Sequence, residues 1–129
     1  MRRTYFLFFV ISSLIACNSP LTAPDKKANS VPVTGREPFD RHGALIFTRH
    51  ARCRMDCRHI TEHEIQEILD GGTINYRKSE PDARPEPKWA VEGFTAEQQH
   101  LRIIIATEEH KLIVVTCIEL GVEWTCHCN

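Results

Sequence analysis

Four cysteines in two closely spaced pairs are the residues of this chain whose types and spacing most clearly suggest chemistry. Cys53 and Cys57 are four residues apart, so a helix would place both thiols on one face. Cys126 and Cys128 are two residues apart, and they share a face if that segment is extended. Four converging thiolates would form a tetrahedral zinc site, although this spacing departs from the usual Cys-x-x-Cys pattern.

Disulfides between the two pairs are the second interpretation, and unpaired thiols are the third. A bridge from Cys53 to Cys57 is unfavourable, because helical geometry holds those sulfurs poorly for it. Disulfides from helix to tail would contribute about 2–4 kcal/mol. His50 and His127 are spare nitrogen ligands for the zinc alternative. Cys117 lies in a strand-like segment, and we expect it to be a small core residue.

A basic face on the same predicted helix suggests acid–base chemistry. His50, Arg54 and Arg58 fall on the face that carries the cysteines. A histidine titrates near neutral pH and could act as general acid or base, while Arg54, Arg58 or Arg102 could stabilise charge on a phosphorane. The alternative is a solvated basic face in which His50 bonds the backbone or a carboxylate. No partner base stands at a defined spacing, so we lean towards a protein that is not an enzyme.

Two short helices must position these residues. The first is predicted over about 50–58, and Thr61 with Glu64 predicts a capping box at the start of the second. Ile60 and Ile65 add the matching hydrophobic staple. The second helix has an apolar stripe and then two glycines, which we expect to end it through the left-handed cap conformation: Ile65, Ile68, Leu69, Gly71 and Gly72.

Short apolar segments after the helices predict a sheet. They predict strands over 73–78, 88–94, 100–107 and 112–120. Residues 44–48 are either a short strand or an apolar lead-in, and residues 122–129 are either an edge strand or a tail. This order predicts an α+β fold, with two short N-terminal helices packed on one face of a small antiparallel sheet of about four strands.

The helical motif also carries a resemblance. His50-Ala51-Arg52, Arg54-Met55, Arg58, Ile60-Thr61, Glu64-Ile65 and Ile68-Leu69 resemble a small bacterial family catalogued as domain of unknown function 4258. The likeness continues through residues 89–93, 101–103 and 114–116, and it covers about the last ninety residues. Cys53, Cys57 and Cys126-His127-Cys128 are similar to a cysteine-bearing lipoprotein branch of that family.

The resemblance implies a fold more than an activity. The outline of helices and sheet in this family is similar to small ribonuclease toxins of the RelE-like kind. That likeness implies an alternative function, a small ribonuclease or other hydrolase that uses His50 and nearby arginines.

The start of the chain predicts export and lipidation. Arg2 and Arg3 precede an apolar run over 5–15 that is too short to span a bilayer comfortably. Leu14-Ile15-Ala16-Cys17 then resembles a bacterial lipobox, and a plain secretory signal with a chance cysteine is the alternative. We predict a lipoprotein signal peptide over 1–16, a lipidated Cys17 with a flexible proline-rich tether over 17–38, and one domain over 39–129.

The net charge and the predicted location outside the cytoplasm limit the kinds of binding partner that we expect. The chain has 16 Lys and Arg against 17 Asp and Glu, so its formal net charge of −1 provides no broad attraction for a polyanion. Nucleic acid is therefore not an expected partner. We expect a lipoprotein on the cell membrane or outer membrane, with its domain outside the cytoplasm and an unknown protein or small-molecule partner. Zinc is the only cofactor that the residues suggest.

Overall fold

The computed structural model describes residues 35–128. The predicted signal peptide, Cys17 and most of the predicted tether lie outside these residues. The elements follow in the order β1 (Ala44–Phe47), α1 (Arg49–Arg58), α2 (Glu62–Gly71), β2 (Thr73–Ile74), a 3-10 helix (Tyr76–Lys78), β3 (Lys88–Phe94), β4 (His100–Glu108) and β5 (Lys111–Glu119). Within the described part of the chain, no helix has the length and apolar character needed to cross a membrane.

The five strands form one sheet in the order β1-β5-β4-β3-β2. Strands β2 to β5 are antiparallel to their neighbours, whereas β1 runs parallel to β5 from Ala44 beside Lys111 to Phe47 beside Val114. The predicted α+β class is confirmed, but the prediction of about four antiparallel strands was too simple. The fifth strand is the segment before the helices, whose Leu45 and Phe47 pack against the core and so hold β1 at the sheet edge.

One hydrophobic core lies between the helices and the sheet. On β4, Leu101, Ile103 and Ile105 are fully buried, while the residues that alternate with them point to the opposite face. The helices supply the other side of this core, with the buried residues Ala51, Met55, Ile65, Ile68 and Leu69. The cysteine-bearing helix α1 therefore packs through one narrow apolar edge and leaves the rest of its surface outside the core.

Thr48 fixes the start of α1 against β5. Its side-chain oxygen accepts a hydrogen bond from the Ala51 backbone N–H at 3.0 Å, which caps the helix. The same hydroxyl donates to the main-chain carbonyl of Val115 at 3.2 Å. The register shifts here, since Ile104 is opposite Thr116 whereas Ile105 is opposite Val114. Val115 is thus the extra residue of a β-bulge, and its carbonyl is available to Thr48.

The predicted capping box of α2 is confirmed. The Thr61 backbone N–H donates to Glu64 Oε2 at 2.7 Å, and the Glu64 backbone N–H donates to Thr61 Oγ1 at 3.2 Å. The predicted left-handed cap was wrong, because Gly71 is the last residue of α2 and has no positive φ, and Gly72 follows it with φ −78°. A Cβ atom there would lie 2.4 Å from the Ile68 carbonyl oxygen and 2.7 Å from that of Glu92. Gly72 is needed because helix and sheet backbones approach closely.

One strand prediction also needed correction. The predicted strand over 73–78 is only two residues long, because the chain turns into the 3-10 helix, where Tyr76 packs edge-on against Trp89 with ring centroids 6.3 Å apart. Residues 122–128 are a tail without strand structure. Other contacts, described below, hold this tail in place.

Candidate functional site

Two disulfides join α1 to the tail (residues 122–128). Cys53 is bonded to Cys128 with Cα atoms 5.8 Å apart, and Cys57 is bonded to Cys126 with Cα atoms 5.9 Å apart. The predicted meeting of the two cysteine pairs is thus what the structure shows, in the form of the disulfide alternative. We refer to these two bonds together as the disulfide clamp.

The different spacing of the two pairs has a geometric reason. Four residues of α-helix rise about 6 Å, and two residues of extended chain span about 6.6 Å. The first cysteine of the helix pairs with the last cysteine of the tail, so the tail runs antiparallel to α1. The distance between the two cysteines along the helix therefore matches the distance between the two cysteines along an extended tail, and both bridges can form side by side.

Trp124 gives the tail a further fixed point. Its indole Nε1–H donates to Glu119 Oε2 at 2.7 Å, which ties the tail back to the end of β5. Its ring also meets the ring of His59 edge-on, with centroids 5.8 Å apart. His59 follows the last residue of α1 in the left-handed conformation, with φ 55°. The tail therefore contacts both the middle and the end of α1.

The zinc alternative requires thiolates, and the sulfurs of the disulfide clamp are not thiolates. Among the described residues, no group of three or more His, Cys, Asp or Glu side chains is placed to hold a metal ion. Within the same residues, Cys117 is the free cysteine, and it is fully buried in the core. Burial raises the pKa of its thiol to about 11, so the thiol is neutral at physiological pH.

Two of the residues predicted for catalysis are in contact on α1. Arg54 Nε donates to His50 Nε2 at 3.3 Å across one helical turn. His50 is exposed and Arg54 is half-buried. Arg58 turns inwards instead, and one of its terminal nitrogens donates to the main-chain carbonyl of Cys117. Burial, followed by the nearby charge of Arg54, lowers the pKa of Arg58.

The fourth predicted residue, Arg102, lies on the other face of the sheet. It alternates along β4 with the core residues, and its Nε donates to Glu92 Oε1 at 2.5 Å. Asn75 donates to the same oxygen at 2.9 Å. Burial alone would raise the pKa of Glu92, but the hydrogen bonds from Arg102 and Asn75 outweigh it and the net pKa is lowered. The structure does not bring Arg102 to His50, and the catalytic role of these residues stays a prediction.

Sequence reasoning missed Arg41, whose partners are distant in the chain. Its terminal nitrogen donates to the main-chain carbonyls of Leu69 at 2.5 Å and Gly72 at 2.9 Å, and so satisfies the end of α2. Glu37 pairs with the same guanidinium at 2.5 Å, and this hydrogen bond is the main cause of the lowered pKa of Glu37. Arg41 lines a cavity of about 430 Å³ with Tyr76. No sequence pattern links residues 28 and 31 positions apart.

A second cavity, of about 300 Å³, lies at the start of α2. Its lining includes two histidines and three glutamates: His59, His63, Glu64, Glu67 and Glu97. His63 faces Glu67 at 3.5 Å, and Glu64 is occupied by the capping box. Glu67 also accepts from the Ala96 backbone N–H at 3.3 Å, and among the described residues these side chains form no group that could hold a metal ion.

The family comparison covers most of this fold. A family model described as "Domain of unknown function (DUF4258)" matches residues 47–119. The chain belongs to the DUF4258 family. The matched DUF4258 region runs from the last residue of β1 to the last residue of β5, so it contains Cys53 and Cys57 but not Cys126 and Cys128. Searches of curated proteins and of solved structures found no significant match.

Proposed function

We propose that the chain is an exported, lipid-anchored protein whose DUF4258 domain is a non-catalytic binding module closed by the disulfide clamp. The two disulfides carry this proposal. Disulfides form and persist outside the cytoplasm, in the periplasm or on the cell surface. The lipobox-like sequence that ends at Cys17 supports the same address, with the domain held outside the cytoplasm by a lipid in the cell membrane or outer membrane.

The arrangement of the basic residues favours binding over catalysis. A general acid–base pair must reach one substrate together. Arg58 is committed to the carbonyl of Cys117, and Arg102 is paired with Glu92 on the opposite face of the sheet. His50 and Arg54 are left on α1 as a polar surface suited to contacts with a protein or small-molecule partner.

The position of the disulfide clamp supports a cysteine-bearing lipoprotein branch within the DUF4258 family. Two of its cysteines lie inside the matched region, and two lie in the tail beyond it. A domain of this size buries a limited core, and covalent links add the stability that such a core lacks. We propose zinc only for the reduced form of the cluster, because a disulfide sulfur has no negative charge with which to bind a metal.

Lipid labelling and thiol trapping test the proposed location outside the cytoplasm. The full chain is produced in a bacterium with an alkyne-bearing fatty acid, and Cys17→Ser serves as the matched control. We expect the wild-type protein to be labelled and membrane-bound, the control to be unlabelled, and the cysteines of the clamp to resist alkylation until a reductant is added. An unlabelled protein in the cytoplasm with freely alkylated cysteines would overturn the proposal.

An RNA-cleavage assay tests the hydrolase alternative. The purified wild-type protein and His50→Ala are incubated with single-stranded RNA under identical conditions. The binding proposal expects no cleavage by either protein. Cleavage by the wild type that is lost in His50→Ala would replace the binding module with a small ribonuclease.

A further inference from the structure

We propose that the four cysteines of the clamp form a redox-dependent zinc site, with two disulfides when oxidised and a four-thiolate zinc site when reduced. In both states the four cysteines link α1 to the tail. The inference rests on the clamp-closed domain of the proposed function, but not on the lipid anchor.

The backbone already places two ligands on each of two elements. The paired Cα atoms are 5.8 and 5.9 Å apart, and the two helical cysteines lie one turn apart on the same face. A tetrahedral zinc site has Zn–S bonds of about 2.3 Å, which puts its sulfurs about 3.8 Å apart. Cysteine side chains one helical turn apart start with Cβ atoms about 5–6 Å apart. Rotation about the side-chain torsions is therefore enough to bring the four sulfurs around one ion.

The charge of α1 matches that of the reduced site. Zinc with four thiolates has a net charge of −2, and such a group needs positive neighbours when it is partly removed from water. The helix has four arginines and one aspartate, and the helical period places Arg54 and Arg58 on the face of the two cysteines, whereas Arg52 pairs with Glu62 at 3.1 Å. Nearby guanidinium groups favour thiolate over thiol, so they favour the ligand form of both residues.

Cys117 provides an internal comparison. It belongs to the same chain and lies near the same helix, but it is fully buried in the core and is not part of the clamp. The raised pKa of its thiol keeps it neutral, so it does not take part in thiol–disulfide exchange with the clamp cysteines. If the clamp cysteines form the metal site, removal of Cys117 should leave the metal affinity unchanged.

The conversion balances as a two-electron reduction of each disulfide. A dithiol reductant supplies two electrons and two protons, and it becomes a disulfide while two protein thiols form. Zn²⁺ then displaces the four thiol protons as four Zn–S bonds form. In the reverse direction each protein disulfide forms as one disulfide oxidant accepts two electrons, takes up two protons from solvent and becomes two thiols, and Zn²⁺ is released.

Cobalt binding tests the site with a spectroscopic readout. The purified full chain is reduced with excess dithiol, freed of reductant without oxygen and titrated with Co²⁺, then with Zn²⁺. We expect one Co²⁺ per chain with intense thiolate-to-cobalt absorption, and its displacement by Zn²⁺. Cys117→Ala should bind equally, whereas Cys57→Ser/Cys126→Ser should bind more than about tenfold more weakly, since even changes outside the ligands cost that much. The oxidised protein should bind none.

Tail order provides a measurement that needs no cysteine variant. Trp124 contacts His59 and Glu119, so its fluorescence reports whether the tail lies against α1. Trp124→Phe identifies its share of the signal. We expect reduction to change this fluorescence and Zn²⁺ to restore most of it. Reduced protein that binds no Co²⁺, or binds it equally after loss of Cys57 and Cys126, would overturn the inference, while lipid labelling and thiol trapping would still test the proposed function separately.

Discussion

Arg58 donates a hydrogen bond to the main-chain carbonyl of Cys117, and this contact fastens the end of α1 to β5. The side chain is half-buried, and burial is the main reason why the pKa of Arg58 is lowered. One terminal nitrogen of the guanidinium is satisfied by the sheet, whereas Nε is buried without a hydrogen-bond partner among the described residues. This contact makes Arg58 a structural residue of the helix that carries the clamp.

Arg58→Met should destabilise the domain by about 1–3 kcal/mol, because the apolar stem is kept while a charged donor to the sheet is lost. Urea denaturation followed by circular dichroism measures the change. Arg54→Met is the matched control, since Arg54 bonds only to exposed His50 among the described hydrogen bonds, and it should stay within about 0.5 kcal/mol of wild type. Equal stability of the two variants would contradict the structural role of Arg58.

The two disulfides should contribute in a non-additive way. Each alone closes a loop with a sequence separation of 69 or 75 residues. A cross-link that closes a loop of this length stabilises the fold by about 4.5 kcal/mol, because it lowers the entropy of the unfolded chain. Once one bond is present, the second closes only a small ring and adds about 2.5 kcal/mol. Loss of one bond should therefore cost less than half as much as loss of both.

Denaturation of three variants measures this difference: Cys53→Ser/Cys128→Ser, Cys57→Ser/Cys126→Ser, and the combined variant. The reduced wild type in a metal chelator provides a comparison without substitutions. A combined loss equal to the sum of the two separate losses would show that the bonds act independently.

Glu92 should make stability depend on pH in the acidic range. Its pKa is lowered in the folded state from its ordinary value of about 4.5, so its contribution is fully present above that value and is lost as the pH falls through the lower folded pKa. Glu92→Gln should cost about 1–2 kcal/mol at pH 7 and progressively less as the solution is acidified. Glu108→Gln, from an exposed pair with Lys111 at 4.0 Å, should cost under about 0.5 kcal/mol at pH 7. A constant gap between wild type and Glu92→Gln down to pH 3 would disprove the linkage.

The capping box should be visible in the stability of the whole domain. Thr61→Ala removes the acceptor for the Glu64 backbone N–H and should cost about 1 kcal/mol. Thr61→Ser keeps the hydroxyl and should lose much less. Thr125→Ala changes an exposed threonine of the tail and controls for the substitution itself. Thermal unfolding of the wild type and the three variants measures these losses, and a Thr61→Ala protein as stable as Thr125→Ala would show that the cap contributes nothing.

The sequence predicted best where the determinants were local. Thr61 and Glu64 are three residues apart, so their capping box was visible as a pattern and is present in the structure. The parallel pairing of β1 with β5 depends on residues more than sixty positions apart, such as Leu45 and Leu112. No local rule states that a four-residue apolar segment will cross to the far edge of a sheet. The close backbone approach at Gly72 also depends on a distant strand.

The candidate site was predicted only in part for a similar reason. Helical and extended periodicity placed the cysteines of each pair on one face, but they could not choose between zinc and disulfides. The partners of the arginines could not be predicted either, because tertiary packing turns Arg58 towards β5 and places Arg102 on the face of the sheet away from α1. Arg41 was missed because its carbonyl partners at Leu69 and Gly72 become neighbours only in the folded chain.

The parallel placement of β1 beside β5 has a mechanical consequence. When a bound partner resists a pull from the amino-terminal side, the force acts along β1, and the four residue pairs of its ladder with β5 share the load instead of opening one after another. If that ladder yields, extension from this side stops at Cys53, because the bond to Cys128 makes the rest of the domain one covalent loop. Traction would thus extend the chain by a short segment and leave β2 to β5 paired with one another.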